Sequence, residues 1–127
     1  MFKFSKSSTK RLDTCHPDLQ KLFREVIKHH DCTIICGART LEEQQKAFKG
    51  GFSKLDGINK KSKHQVDAST PLSLAVDVLP YPINWNDRKG HDEFAKNVKE
   101  IAKRINVNVR WGGDFKSFRD APHWELI

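Results

Sequence analysis

Apolar side chains recur at helical spacing in separate stretches of the chain. Leu19, Leu22, Phe23, Val26 and Ile27 share one face of a helix that starts near Pro17 and stops at the polar His29-His30-Asp31. Pro17 suits a first helical turn, and Asp18 complements its positive end. Thr40-Leu41-Glu42-Glu43 has the form of a capping box, so a helix to about Lys49 follows, with Leu41, Gln44, Gln45 and Phe48 on one side. The clearest period is Phe94, Ala95, Val98, Ile101, Ala102 and Ile105, which predicts an amphipathic helix from His91 to about Ile105.

Between these lie shorter β-rich runs. Thr33 to Cys36 reads as a buried strand, relaxed afterwards by Gly37. Leu74 to Leu79 reads as another, with Ala75, Asp77 and Leu79 facing one way, and Pro80 and Pro82 end it. Strands are also expected near Val107 to Trp111 and from His123 onward, with a turn at Gly112-Gly113 and a short helical stretch at Phe115 to Arg119. Most of the segment from Lys49 to Ser73 reads as loop. Helices and strands do not alternate steadily, so the expected fold class is α+β: one small domain over residues 1–127, a central antiparallel sheet flanked by helices.

Composition narrows the picture. A chain of 127 residues, 37% hydrophobic, fits one self-supporting core and contains no apolar run of membrane-spanning length. No secretory leader is read at Met1-Phe2-Lys3-Phe4. Cys15, Cys32 and Cys36 cannot all pair and lack Cys-x-x-Cys spacing, so they are read as reduced core thiols. The net charge of +7 favours polyanionic partners: nucleic acid, anionic headgroups or acidic wall polymers. The basic Lys49–Lys63 stretch reads as a solvated loop. With no finger or interleaved aromatic motif, no specific nucleic-acid partner is expected.

Candidate chemistry concentrates at the end of the chain. Asp120-Ala121-Pro122-His123-Trp124-Glu125-Leu126-Ile127 sets a carboxylate three positions before a histidine that heads a strand. His64 and Asp77 are the upstream groups able to join His123, and two imidazoles with one carboxylate form a common zinc set that leaves the fourth tetrahedral position to water. Asp120 is then a spare carboxylate for proton transfer. Asp67 competes with Asp77 for the third ligand. His16, His29, His30 and His91 lie at helix ends and are read as ordinary side chains. Trp111 and Trp124 are read as core, and Glu125 as a partner that orients His123.

Ser62-x-His64, Ala75-x-Asp77, Asp120-x-x-His123-Trp124-Glu125 and Gly37-Ala38-Arg39-Thr40-x-Glu42-Glu43-Gln44, occurring together, resemble the zinc D-alanyl-D-alanine carboxypeptidase and L-alanyl-D-glutamate peptidase family. Trp111-Gly112-Gly113-Asp114-Phe115 with the residues after it resembles the phage lysis enzymes within it, and the likeness spans roughly residues 8–127. The resemblance implies a fold shared with the hedgehog signalling domain. It implies Zn2+ bound by His64, Asp77 and His123, Asp120 as general base and acid, Arg39 at the substrate carbonyl or carboxylate, and Ser62 lining the site. The alternatives are a surface ion pair of Arg39 with Glu42 or Glu43, and a capping role for Ser62. Asp77 follows His64 at a longer interval than is usual in the family, which a loop insertion at residues 67–72 accommodates at little entropic cost. The implied function is a zinc endolysin that cuts the L-alanyl-D-glutamate bond of bacterial peptidoglycan stem peptides. Such an enzyme is expected to act as a monomer, without a wall-binding module, and to reach the wall from the host cytoplasm once the membrane is breached. A D-alanyl-D-alanine carboxypeptidase and a zinc-bearing binding module without catalysis are the competing readings.

Overall fold

The structure is a computed structural model and describes residues 2–116 and 119–127. In chain order the elements are α1 (Lys6–Leu12), α2 (Pro17–Val26), β1 (Cys32–Cys36), α3 (Leu41–Lys49), β2 (Ala75–Pro80), α4 (Arg88–Arg104), β3 (Val109–Trp111), a 3-10 turn (Gly112–Asp114) and β4 (His123–Leu126). The strands form one sheet in the order β1-β2-β4-β3, every neighbouring pair antiparallel. The α+β reading therefore holds. Among the described residues no helix is long and apolar enough to cross a membrane.

Alternation along each strand gives the sheet two chemically different faces. Ile34, Val76, Val78, Trp111 and Trp124 join the core with Leu19, Leu22 and Phe23 of α2 and Phe94, Val98 and Ile101 of α4. Trp111 and Trp124 stack with ring centroids 6.0 Å apart, core aromatics as their sequence context suggests. Asp77, His123 and Glu125, the intervening positions, fall on the other face. That face carries the chemistry.

Three elements depart most from expectation, each for a local reason. Helix α1 has no apolar period, because only Ser8 and Leu12 of its seven residues are buried. It is fixed instead by the Ser5 N-cap on Ser8 and by the Ser8 hydroxyl, which accepts from Ile34 N at 3.0 Å. Helix α4 starts at Arg88, ahead of His91, because Asp87 caps it through Gly90 N at 3.0 Å. Strand β3 starts at Val109 because Val107 is used to close α4: Asn106 takes φ 60°, Val107 N donates to Ala102 O at 2.9 Å, and Asn106 N to Lys103 O at 3.4 Å. That is a Schellman ending, with Val107 as its buried apolar contact. The helical stretch expected at Phe115–Arg119 includes residues 117 and 118, outside the described residues; the described helical turn is Gly112–Asp114.

Candidate metal and peptidase site

Pairing between β2 and β4 places Asp77 directly opposite His123. The third group comes from the turn at residues 62–65, where Ser62 Oγ accepts from His64 N at 3.1 Å and Gln65 N donates to Ser62 O at 3.0 Å. This turn is tied to the Arg39 segment by Arg39 N to His64 O at 2.7 Å and Val66 N to Arg39 O at 2.9 Å. Backbone bonds thus deliver His64 and Arg39 to the face that holds Asp77 and His123.

The donor atoms form a tight triangle. His64 Nε2 lies 3.1 Å from Asp77 Oδ1 and 3.2 Å from His123 Nδ1, and His123 Nδ1 lies 3.4 Å from the same Asp77 oxygen. Tetrahedral donors about 2.0–2.1 Å from a zinc ion stand roughly 3.3 Å from one another, so these separations fit one ion. The outer nitrogens are oriented as well. His64 Nδ1 donates to Gly37 O at 2.8 Å, and His123 Nε2 to Glu125 Oε1 at 2.8 Å. Each bond keeps its proton on the outer nitrogen and turns the other nitrogen's lone pair toward the triangle. Gly37 itself is packed against the end of α1, where a Cβ would lie 2.3 Å from Arg11 O and 2.4 Å from Thr14 Oγ1.

Electrostatics agree with the geometry. Burial disfavours charge on His64, but its bonds to Asp77 and Cys36 and the Asp77 charge outweigh that and raise its pKa to about 10. Asp77, although buried, is held well below the usual carboxylate range by the two imidazoles. The cluster is built to hold positive charge, proton or cation, between its donors. Burial would raise Glu125, yet its bonds with His123 and Lys63 hold it below the ordinary value, and Lys63 Nζ stands 3.2 Å from its Oε2.

Asp120 comes from the turn before β4 and lies beside the triangle, its Oδ2 3.8 Å from His123 Nδ1. Burial first, then the Asp77 charge, raise its pKa against the opposing pull of His123, His64 and Arg39. Arg39 makes no surface pair with Glu42 or Glu43. Glu42 meets Lys46 and Glu43 completes the capping box of α3, while Arg39 Nη2 lies 3.7 Å from Asp77 Oδ2 and Nη1 donates to Gln44 Oε1 at 3.2 Å. Ser62 both lines the cavity and turns the chain into His64. Asp67 lies elsewhere, its carboxylate taken up by Lys61 at 3.1 Å and by Ser69 N and Thr70 N, both at 2.8 Å.

Three side chains enter the site to which the sequence reading gave no role there. Gln44, fully buried, holds Arg39 and also donates to Ser53 Oγ at 2.9 Å and Leu55 O at 2.7 Å, fastening the cavity wall. Trp85, 60% exposed, lines the same cavity of about 630 Å³. Cys36 corrects the reading of three core thiols: Cys15 and Cys32 are buried in the core, but Cys36 is only half-buried and faces the site. A register shift between Ile34 and Cys36 is the cause. Ile34 pairs with Val78 on the core face, the extra residue Ile35 breaks the alternation, and Cys36 pairs with Asp77.

The α+β sheet thus carries, on its polar face, a convergent His-His-Asp cluster whose donor set suits a divalent metal ion. The family model for phage L-alanyl-D-glutamate peptidases matches residues 1–127, and the chain belongs to that family. It is 32% identical over 124 residues to the L-alanyl-D-glutamate peptidase of Escherichia phage T5, covering 94% of this chain and 85% of that protein. It is 30% identical over 106 residues to the peptidoglycan L-alanyl-D-glutamate endopeptidase CwlK of Bacillus subtilis (strain 168), covering 76% of this chain and 61% of the relative. Its fold matches the crystal structure of the Serratia marcescens L-Ala D-Glu endopeptidase ChiX with a TM-score of 0.79 and 24% identity, over 98% of this chain and 90% of that one.

Proposed function

We propose that this chain is a single-domain zinc endopeptidase that hydrolyses the L-alanyl-D-glutamate bond of peptidoglycan stem peptides, with His64, Asp77 and His123 holding the metal. The observation that carries the zinc assignment is the triangle of donors 3.1–3.4 Å apart, with both imidazoles hydrogen-bonded from behind. Family membership supports the bond and the polymer. When bound, zinc supplies a Lewis acid that polarises the scissile carbonyl and makes water acidic enough to attack near neutral pH.

The chain's own groups do the rest. Asp120 accepts the proton of the attacking water at its carboxylate and passes it to the leaving D-glutamyl amine, a role suited to its burial and raised pKa. Arg39, held by Gln44, presents positive charge where the carbonyl oxygen becomes an oxyanion. Ser62 and Glu125 act one step back, fixing His64 and His123. The basic chain reaches the acidic cell wall as a monomer after the inner membrane is breached.

Mass spectrometry of purified peptidoglycan after digestion tests the reading. Fragments with a new amino terminus at D-glutamate, and L-alanine left on the muramyl side, are expected; release of free D-alanine without that terminus would overturn it.

A further inference from the structure

Cys36 is a metal-ligating side chain in the site that the proposed mechanism does not use. Its Sγ, a His64 ring nitrogen and an Asp77 oxygen lie within 4.8 Å of one another, a donor group that shares only Asp77 with the one formed by Asp77, Asp120 and His123. The thiol reaches this position by register, because the shift after Ile34 puts Cys36 opposite Asp77 on the polar face. It opens to the cavity, where it bonds with His64 and makes a 3.6 Å contact to Gly37 O. The set joins one thiol, one imidazole and one carboxylate, and sulfur selects softer cations than those favoured by nitrogen and oxygen alone.

We propose that Cys36, His64 and Asp77 form a second donor set for thiophilic divalent cations, with cadmium as the probe, and that its occupation shuts down the peptidase. Binding breaks the Cys36 S–H bond, releases that proton to solvent and forms a sulfur–metal bond, with no change of oxidation state. His64 and Asp77 cannot serve both sets at once, so a cation drawn to Cys36 removes two of the three catalytic ligands. The inhibitory half of this inference rests on the zinc reading above; the binding half does not. Cys15 and Cys32 do not compete, since burial seals them in the core and pushes both thiols up to about 12.

Cadmium titrated into the whole protein, followed by ultraviolet sulfur-to-cadmium charge-transfer absorption, tests this. The band should appear in the wild type, vanish in Cys36→Ser and Cys36→Ala with unchanged circular dichroism, and persist in His123→Ala. Peptide mapping of the wild type gives a readout that needs no variant: cadmium should protect Cys36 from alkylation. Cadmium bound without the band, a band that survives Cys36→Ser, its loss in His123→Ala, or unprotected alkylation of Cys36 would each overturn the proposal. Zinc retained by His123→Ala would sink the catalytic reading instead, leaving the cadmium band intact.

Discussion

At the scale of single residues, the site divides its carboxylates by surroundings. Asp77 lies between two imidazoles and is held ionised; Asp120, one side chain further out, is half-buried, 3.8 Å from the nearer imidazole, and its pKa is raised. The first is suited to hold a metal, the second to take and return protons. Asp77→Ala and His123→Ala should therefore lose bound zinc by elemental analysis, whereas Asp67→Ala, whose side chain is committed to Lys61, Ser69 and Thr70, should keep it. Zinc lost with Asp67 and kept without Asp77 would reverse the assignment. Asp120→Asn should retain zinc and fold while turnover falls roughly 10²–10⁴-fold. The sign of the pH effect follows from this role. A general base works when deprotonated, so kcat/KM has an acid limb, activity being lost as pH falls through the Asp120 pKa, which burial and the Asp77 charge raise above the ordinary 3.8 in the metal-free protein and which a bound dication would pull back down. Asp120→Asn should abolish that limb; a limb unchanged in the variant would assign it to another group.

At the scale of elements, the site depends on how β2, β4 and two turns are pinned together. The carbonyl of Gly112 accepts from Asp120 N at 2.9 Å, and a Cβ on Gly112 would lie 2.2 Å from Asp120 O and 2.8 Å from His123 Cβ. Gly112→Ala should therefore force the Asp120–His123 turn away from the sheet, costing about 1–3 kcal/mol in stability and lowering zinc affinity with it. Thr40→Ala, which removes half of the α3 capping box, should cost about 1 kcal/mol in denaturant unfolding and leave zinc affinity unchanged. Equal effects of the two on metal binding would count against this account of the turn. The same elements explain what the sequence could reveal. Helices α2, α3 and α4 announce themselves through period and caps, and Asp77 and His123 are legible as strand residues, while their direct pairing is set by the strand order and register of the sheet. Helix α1 escapes because its buried contacts include a serine hydroxyl, and Cys36 escapes because the register shift at Ile35 is a property of pairing between distant strands. Arg39 and Ser62 were legible only as parts of motifs, since their partners, Asp77, Gln44 and the His64 amide, are chosen by the tertiary fold.

At the scale of the whole molecule, charge and site act over different distances. The net charge of +7 is spread over exposed side chains, with Lys96, Lys99, Lys103 and Arg104 along α4, well away from the triangle on the opposite face of the sheet. Some of these are paired, Lys99 with Asp114 and Arg104 with Glu25, but the surplus of basic groups persists and draws the protein toward a polyanion. Such attraction weakens as the Debye length falls from about 10 Å at 0.1 M salt to about 3 Å at 1 M. Contacts within the cavity, 3.1–3.8 Å long, are far shorter than the first length and comparable to the second, and they lie between buried or half-buried groups, where salt screens much less. Raising salt should therefore slow hydrolysis of intact, anionic peptidoglycan several-fold while leaving kcat on a soluble stem peptide nearly unchanged. Neutralising Lys96 and Lys103 together as glutamines should reproduce the salt effect on the intact polymer at low ionic strength and preserve the soluble-peptide rate. Equal salt dependence for both substrates would place the charge effect inside the site, at Arg39 and its neighbours, and remove any role for the surface of α4 in finding the wall.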